Sequence, residues 1–183
     1  TYKQAVIEAM SKLALNPRTI FLGQTVRFGG SAVYDTVKQI PESQRLELPV
    51  AEELQMGMSI GLALEGFLPV TIYPRIDFLL CAINQLSNHL DVLERMSHGE
   101  WKAKVIIRTL IGSRSPLDPG PQHCRDHTDM FRSLLKTVWV STPKTPTEVF
   151  LDYEAAVNSK SSPLIIEDGN LYDKSVFPAI GDD

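Results

Sequence analysis

The chain has 183 residues, 43% of them hydrophobic, enough to bury one substantial core, and a single domain over residues 1–183 is expected. A formal net charge of −4 and a pI near 5.6 provide no basic field that would gather nucleic acid or anionic lipid, so neither partner is expected. Cys81 and Cys124 lie far apart and match neither a paired metal knuckle nor a redox CxxC, which favours a reducing, cytoplasmic setting and leaves a disulfide between them open.

In "TYKQAVIEAMSKLAL" the apolar residues Ala5, Val6, Ala9, Met10 and Leu13 recur at helical spacing. Glu8 and the polar residues throughout rule out a secretory segment or membrane span, so this is a surface helix. Asn16-Pro17 stops it before "TIFLG", a short β-rich run ending at Gly23. The stretch "QTVRFGGSAVYDTVKQIPESQ" reads as a long connection with a Gly29-Gly30 pair and one short helix, and long connections are often functional. "RLELP" is a short strand. From Glu52 to Leu64 the pattern is apolar nearly all round, with small residues at Gly57, Ser59, Gly61 and Ala63, which predicts a buried helix ending at Gly66.

"LPVTIY" is the next strand, closed by Pro74. From Ile76 to about Met96 the spacing predicts one long helix, with Phe78, Leu79, Ala82, Ile83, Leu86, Leu90 and Leu93 on one side. "AKVIIRTLI" is a strand covered on both faces, and the Pro/Gly-rich "GSRSPLDPGPQHCRDHT" a loop. A helix around "DMFRSLL", a strand "TVWVST", a helix opened by Pro146 with Thr145 as cap, and a strand "PLIIED" follow. The alternation predicts an α/β fold, a doubly wound, mainly parallel sheet with helices on both faces and ligands beyond the carboxyl ends of the strands. No internal repeat is present.

Glu52 and Glu53 open the third predicted helix, where the positive end of the helix dipole favours ionised carboxylates and first-turn acids are common. Capping accounts for Glu53. Glu52 directly follows a strand and opens a helix that reads as buried, so burial and dipole pull its carboxyl group in opposite directions, as at working acids and bases. The loop after the most buried strand delivers Gln122, His123 and Cys124 to the ligand edge. His123 and His127, spaced i, i+4, lack the further ligands of a metal site, and no metal is expected. His89 and His98 read as surface or interface residues. There is no G-x-S-x-G elbow, and "FGGS" lacks the spacing of a phosphate-binding fingerprint. Phe28 and Phe78 offer rings for a heteroaromatic ligand, although a Phe on an apolar helix face is more often core.

Taken in order, "LPVAEELQMGMSIGLALEGFLPVTIYPRIDF", "KVIIRTLIG", "PGPQH", "VWVSTPKTP" and "PLIIEDGNLYD" resemble the pyrimidine-binding domain of thiamine diphosphate enzymes. The similarity is to the beta subunits of branched-chain 2-oxo acid and pyruvate dehydrogenases and to the matching domain of transketolases, and it covers nearly the whole chain. In that family the glutamate at the position of Glu52 hydrogen-bonds the cofactor's aminopyrimidine ring and promotes its imino tautomer, which takes the proton from the thiazolium carbon. The resemblance implies that Phe78 stacks on the ring, that His123 of "PQH" faces substrate, and that Leu48, Val50 and Gln24 lie along the cofactor.

The resemblance implies a beta-type subunit of a split thiamine diphosphate enzyme, an oxidoreductase or transferase that decarboxylates a 2-oxo acid or transfers a ketol unit. The alternative is a catalytically silent assembly or regulatory subunit of the same fold. No G-D-G motif with a downstream asparagine is present, so a diphosphate-binding alpha-type partner is implied, holding most of the Mg2+ site, in a homodimer or heterotetramer. The chain departs from the family at Gln24, where an acid is usual, and at Arg114 and Asp118 before "PQH", and it ends where the family's C-terminal domain would begin.

Overall fold

The computed structural model describes residues 1–115 and 118–174; residues 116–117 and 175–183 lie outside it. The Thr1 hydroxyl caps α1 (Tyr2–Ala14) by accepting from the Gln4 N–H, and the predicted stripe from Ala5 to Leu13 is its buried face. There follow β1 (Thr19–Gly23), α2 (Ala32–Asp35), β2 (Arg45–Glu47), α3 (Glu52–Leu64), β3 (Leu68–Tyr73), α4 (Ile76–Leu79), α5 (Leu93–Met96) and β4 (Ile106–Ile111). The remainder is α6 (Thr128–Leu134), β5 (Trp139–Ser141), α7 (Pro146–Asn158) and β6 (Pro163–Asp168). Thr145 caps α7 as expected, its hydroxyl accepting from the Glu148 N–H.

The sheet has six strands in the order β2-β1-β3-β4-β6-β5, and every pairing is parallel. Side chains alternate between two cores: β4 sends Ile106 and Leu110 to one, Ile107 and Ile111 to the other. The first core lies under α1, α2 and α7, the second under α3, the 76–96 segment and α6. This is the doubly wound α/β architecture read from the sequence. The connection leaving β1 crosses the first face through Val26, Val33 and Val37, whereas that leaving β3 crosses the second through Ile76, Leu79 and Leu86. Because β1 and β3 are neighbours, paired as far as Gly23 and Ile72, the segments that leave them for opposite faces open a crevice beyond their carboxyl ends.

Two expectations are corrected. Helix α3 is buried on one side only: Met56, Ser59, Ile60 and Ala63 face the core, while Leu54 and Leu64 are 55% and 43% exposed. An all-round apolar pattern marks surfaces that avoid water, and within this chain the outer ones find no cover. The long helix expected from Ile76 to Met96 is broken into α4, a 3₁₀ turn over Leu80–Ala82, a π-helical stretch over Gln85–Leu90 and α5. The wide turn, closed by the Asp91 N–H on Leu86 O at 2.9 Å, accompanies an inward-facing Asp91 whose carboxylate accepts the N–H groups of Lys136, Thr137 and Val138.

Burial pushes the Asp91 pKa up, but the hydrogen bonds from Val138, Thr137 and Lys136 outweigh it and hold the carboxyl below its ordinary 3.8. The folded-state pKa is therefore the lower one, so Asp91's stabilisation is fully present above 3.8 and is lost as pH falls through the folded value. Urea unfolding at pH 7 and at stepwise lower pH is expected to show a shallower acid-side loss for Asp91→Asn than for the parent chain; parallel losses would refute the assignment.

Under α1 and α7, Arg108 of β4 and Glu167 of β6 form a fully buried ion pair, Nε to Oε1 at 2.8 Å and Nη2 to Oε2 at 2.9 Å. The Tyr153 hydroxyl donates to Glu167 Oε1 at 2.6 Å and the Tyr172 hydroxyl to Oε2. Burial, with the Glu167 charge adding to it, pushes both tyrosines well above their ordinary pKa, so they remain donors. Removing one member of such a pair strands the other charge away from water. Arg108→Met is expected to cost about 3–5 kcal/mol in urea unfolding; a loss within the scatter of surface substitutions would show that the pair does not matter.

Candidate functional site

Four connections converge on the carboxyl edge of the sheet. Gln24 follows β1, Glu52 opens α3, Phe78 lies on α4 just beyond β3, and His123 lies on the loop after β4. Gln24 is aimed by its surroundings: the Glu47 carboxylate at the end of β2 accepts the consecutive N–H groups of Thr25, Val26 and Arg27 at 2.7, 2.8 and 2.7 Å. That cradle stabilises Thr25 at φ +58°, a left-handed conformation that costs a β-branched residue energy. Gln24 Nε2 then donates to Glu52 Oε1 at 3.2 Å.

Glu52 is 8% exposed and occupies the first turn of a helix whose N-cap, Ala51, supplies no side-chain cap. Oε2 takes no hydrogen bond among the described residues, leaving one carboxyl oxygen for a ligand. The buried Tyr73 hydroxyl donates to the Glu52 backbone carbonyl at 3.3 Å, fixing the start of α3 against the end of β3. Glu53 behaves as a structural residue: exposed, it accepts from Asn84 Nδ2 at 2.8 Å and joins α3 to the π-helical stretch. Gln55, fully buried, braces the carboxyl end of β3, Nε2 donating to Thr71 Oγ1 at 2.9 Å and Ile72 O at 3.0 Å.

Half-buried Phe78 and His123 meet edge to face, ring centroids 5.3 Å apart at 83°. His123 reaches that position because Gly112 has no side chain: a Cβ there would stand 1.9 Å from His123 O. Leu48 is half-buried, its N–H extending the β1–β2 ladder to Gly23 O at 2.9 Å, and Val50 is 78% exposed beside the start of α3. Phe28 is 68% exposed on the β1–α2 connection, and His89 and His98 are exposed. Arg114 and Asp118 pair with each other at 3.4 Å on the surface of the loop. Among the described residues no group of three or more His, Cys, Asp or Glu is arranged to hold a metal, and both cysteines are free thiols. Glu47 and Gln55 escaped the sequence reading. A lone acid in "RLELP" and a lone amide on the inner face of an apolar helix were the available signals.

The chain is similar to several proteins of known kind. The pyruvate dehydrogenase E1 component subunit beta-4, chloroplastic, of Oryza sativa subsp. japonica is 31% identical over 177 residues, covering 93% of this chain and 42% of that protein. The pyruvate dehydrogenase E1 component subunit beta of Gracilaria tenuistipitata var. liui is 33% identical over 145 residues, covering 76% of this chain and 44% of that one. The chain thus spans less than half the length of these relatives. A split-gene transketolase, described as an inactive β4 tetramer, shares the fold with a TM-score of 0.72 at 19% identity, over 98% of this chain and 55% of that one. Transketolase from Leishmania mexicana does so with a TM-score of 0.69 at 17% identity, over 91% and 25%. The family model for the transketolase pyrimidine-binding domain matches residues 1–170, and the chain belongs to that family.

Proposed function

We propose that this chain is the pyrimidine-side, beta-type half of a split thiamine diphosphate enzyme acting on a 2-oxo acid or a ketose, with Glu52 as its proton-handling group. The observation that carries this reading is a nearly buried carboxyl group at the β1/β3 switch point, with one oxygen held by Gln24 and the other without a partner. Such an oxygen suits the nitrogen edge of an aminopyrimidine, and Phe78 beyond β3 suits its face. When bound, thiamine diphosphate supplies a thiazolium carbon that adds to the substrate carbonyl. The chain's own task is narrower. Glu52 shares a proton with a ring nitrogen, Gln24 holds the carboxyl in place, Phe78 orients the ring plane, and His123 presents an imidazole to the substrate side.

The diphosphate and Mg2+ belong, in this reading, to an alpha-type partner carrying the G-D-G motif, in a dimer or heterotetramer. The E1 beta identity of the relatives supports that division of labour. The exposed Leu54 and Leu64 on the outside of α3 supply apolar surface for assembly. A reducing cytoplasmic location is part of the same proposal, resting on a sequence whose two cysteines form no CxxC or metal knuckle.

Gentle isolation of the tagged chain from its native cells, followed by mass spectrometry, is expected to recover a stoichiometric companion with the G-D-G motif and bound thiamine diphosphate. In that complex Glu52→Ala is expected to lower turnover by about 10²–10⁴-fold with an unchanged melting temperature. Full activity in the variant would remove Glu52 from the mechanism and favour the silent, assembly-supporting role.

A further inference from the structure

Asp77 is a puzzle. Its side chain is 2% exposed, on α4 next to Phe78, and carboxylates in such positions normally fill both oxygens. Here Oδ1 accepts from Arg125 Nε at 2.8 Å and has His127 Nε2 at 3.4 Å, while Oδ2 is buried without a partner. Arg125 is 54% exposed, so it could have stayed in water and is not needed to fill the core. A half-satisfied buried carboxylate adds little to stability, because taking it out of water costs about as much as the pair returns. Its placement has another consequence. Arg125 stands two residues after His123, and Asp77 one before Phe78, so the ion pair spans the same two segments as the Phe78–His123 ring contact.

We infer that Asp77 is a positioning residue: through Arg125 it latches the loop after β4 onto α4 and sets the His123 ring against Phe78. The latch works with the close approach over Gly112. There the His123 carbonyl lies 1.9 Å from where a Cβ would be, which holds the peptide leaving His123 against β4. Arg125 on Asp77 holds the chain two residues further on. With the backbone held at those two points the imidazole turns mainly about its own bonds, and the edge-to-face contact selects one orientation. His127, part-buried beside the same carboxylate oxygen, closes the loop over Asp77. Among the described residues neither Arg125 nor His127 hydrogen-bonds Gln24 or Glu52, so the latch acts on the site through His123. That His123 faces substrate rests on the function proposed above; the latch itself does not.

The latch is therefore read in the full chain without cofactor or partner, by NMR with labelled histidine and phenylalanine. Cross-peaks between the two rings are expected in the parent chain and are assigned by their disappearance in Phe78→Leu. Arg125→Gln, a change at a half-exposed side chain that leaves the core intact, is expected to weaken them at least several-fold. Asp77→Asn is expected to do the same, and Arg125→Lys, which keeps a cation in reach, to restore most of the intensity. Thermal melts confirm that each variant is folded, and if Asp77→Asn is not, Arg125→Gln with its lysine rescue decides. Undiminished ring-to-ring cross-peaks in a folded Arg125→Gln chain would overturn the inference, whatever the catalytic role of Glu52 turns out to be.

Discussion

The site depends on one topological constraint: β1 and β3 lie side by side yet send their following segments to opposite faces of the sheet. The strands stay paired as far as Gly23 and Ile72, but beyond them the segments part, and polar groups at that edge are met by side chains from elsewhere. Gln55 does so from within α3, reaching Thr71 and Ile72. Gly23 makes room for it. At φ +146°, with Ile72 O only 2.2 Å from where its Cβ would be, that position accepts no side chain. Glu52 is carried on the same helix one turn earlier, so the brace at that edge also determines where the carboxyl group stands.

The polar groups buried in this fold fall into two kinds. The Arg108–Glu167 pair, closed by Tyr153 and Tyr172, lies under α1 and α7 with nearly every atom paired, and it ties β4 to β6 in the middle of the sheet. The groups at the carboxyl edge are incompletely paired: Glu52 has one bound oxygen, Asp77 an orphaned one, and Gln55 an unfilled Oε1. Among the described residues Arg108 Nη1 is the buried atom of the first group left without a partner. A carboxyl oxygen left unpaired at a crevice leaves capacity for a ligand or for a second arrangement of a loop.

Much of this was legible in the amino-acid order. The stripe of α1, the Thr145–Pro146 start of α7 and the β-branched runs of β3, β4 and β6 follow from periodicity and capping, and Glu52 was distinguishable from Glu53 by its place after a strand. What failed to show has physical causes. The helical spacing from Ile76 to Met96 is real, but a π turn changes the hydrogen-bonding partner without disturbing the apolar pattern, and only the amides of residues 136–138 reveal why Asp91 faces inward. Likewise Arg125 and Asp77 are far apart in sequence, and nothing in either neighbourhood indicates that they meet.

The residue at position 24 connects the topology to the chemistry. An acid there, at the 3.2 Å separation that Gln24 Nε2 keeps from Glu52 Oε1, would set two carboxyl groups against one another, and like charges so close do not both ionise readily. The amide avoids that coupling: it donates a hydrogen bond, carries no titrating proton, and leaves Glu52 the only ionisable group of the contact. Its orientation is enforced from behind, since Glu47 holds the next three amides of the turn and thereby the direction in which Gln24 leaves β1. The chain thus dedicates an acid on β2, a left-handed threonine and an amide to keeping a single carboxyl group in place.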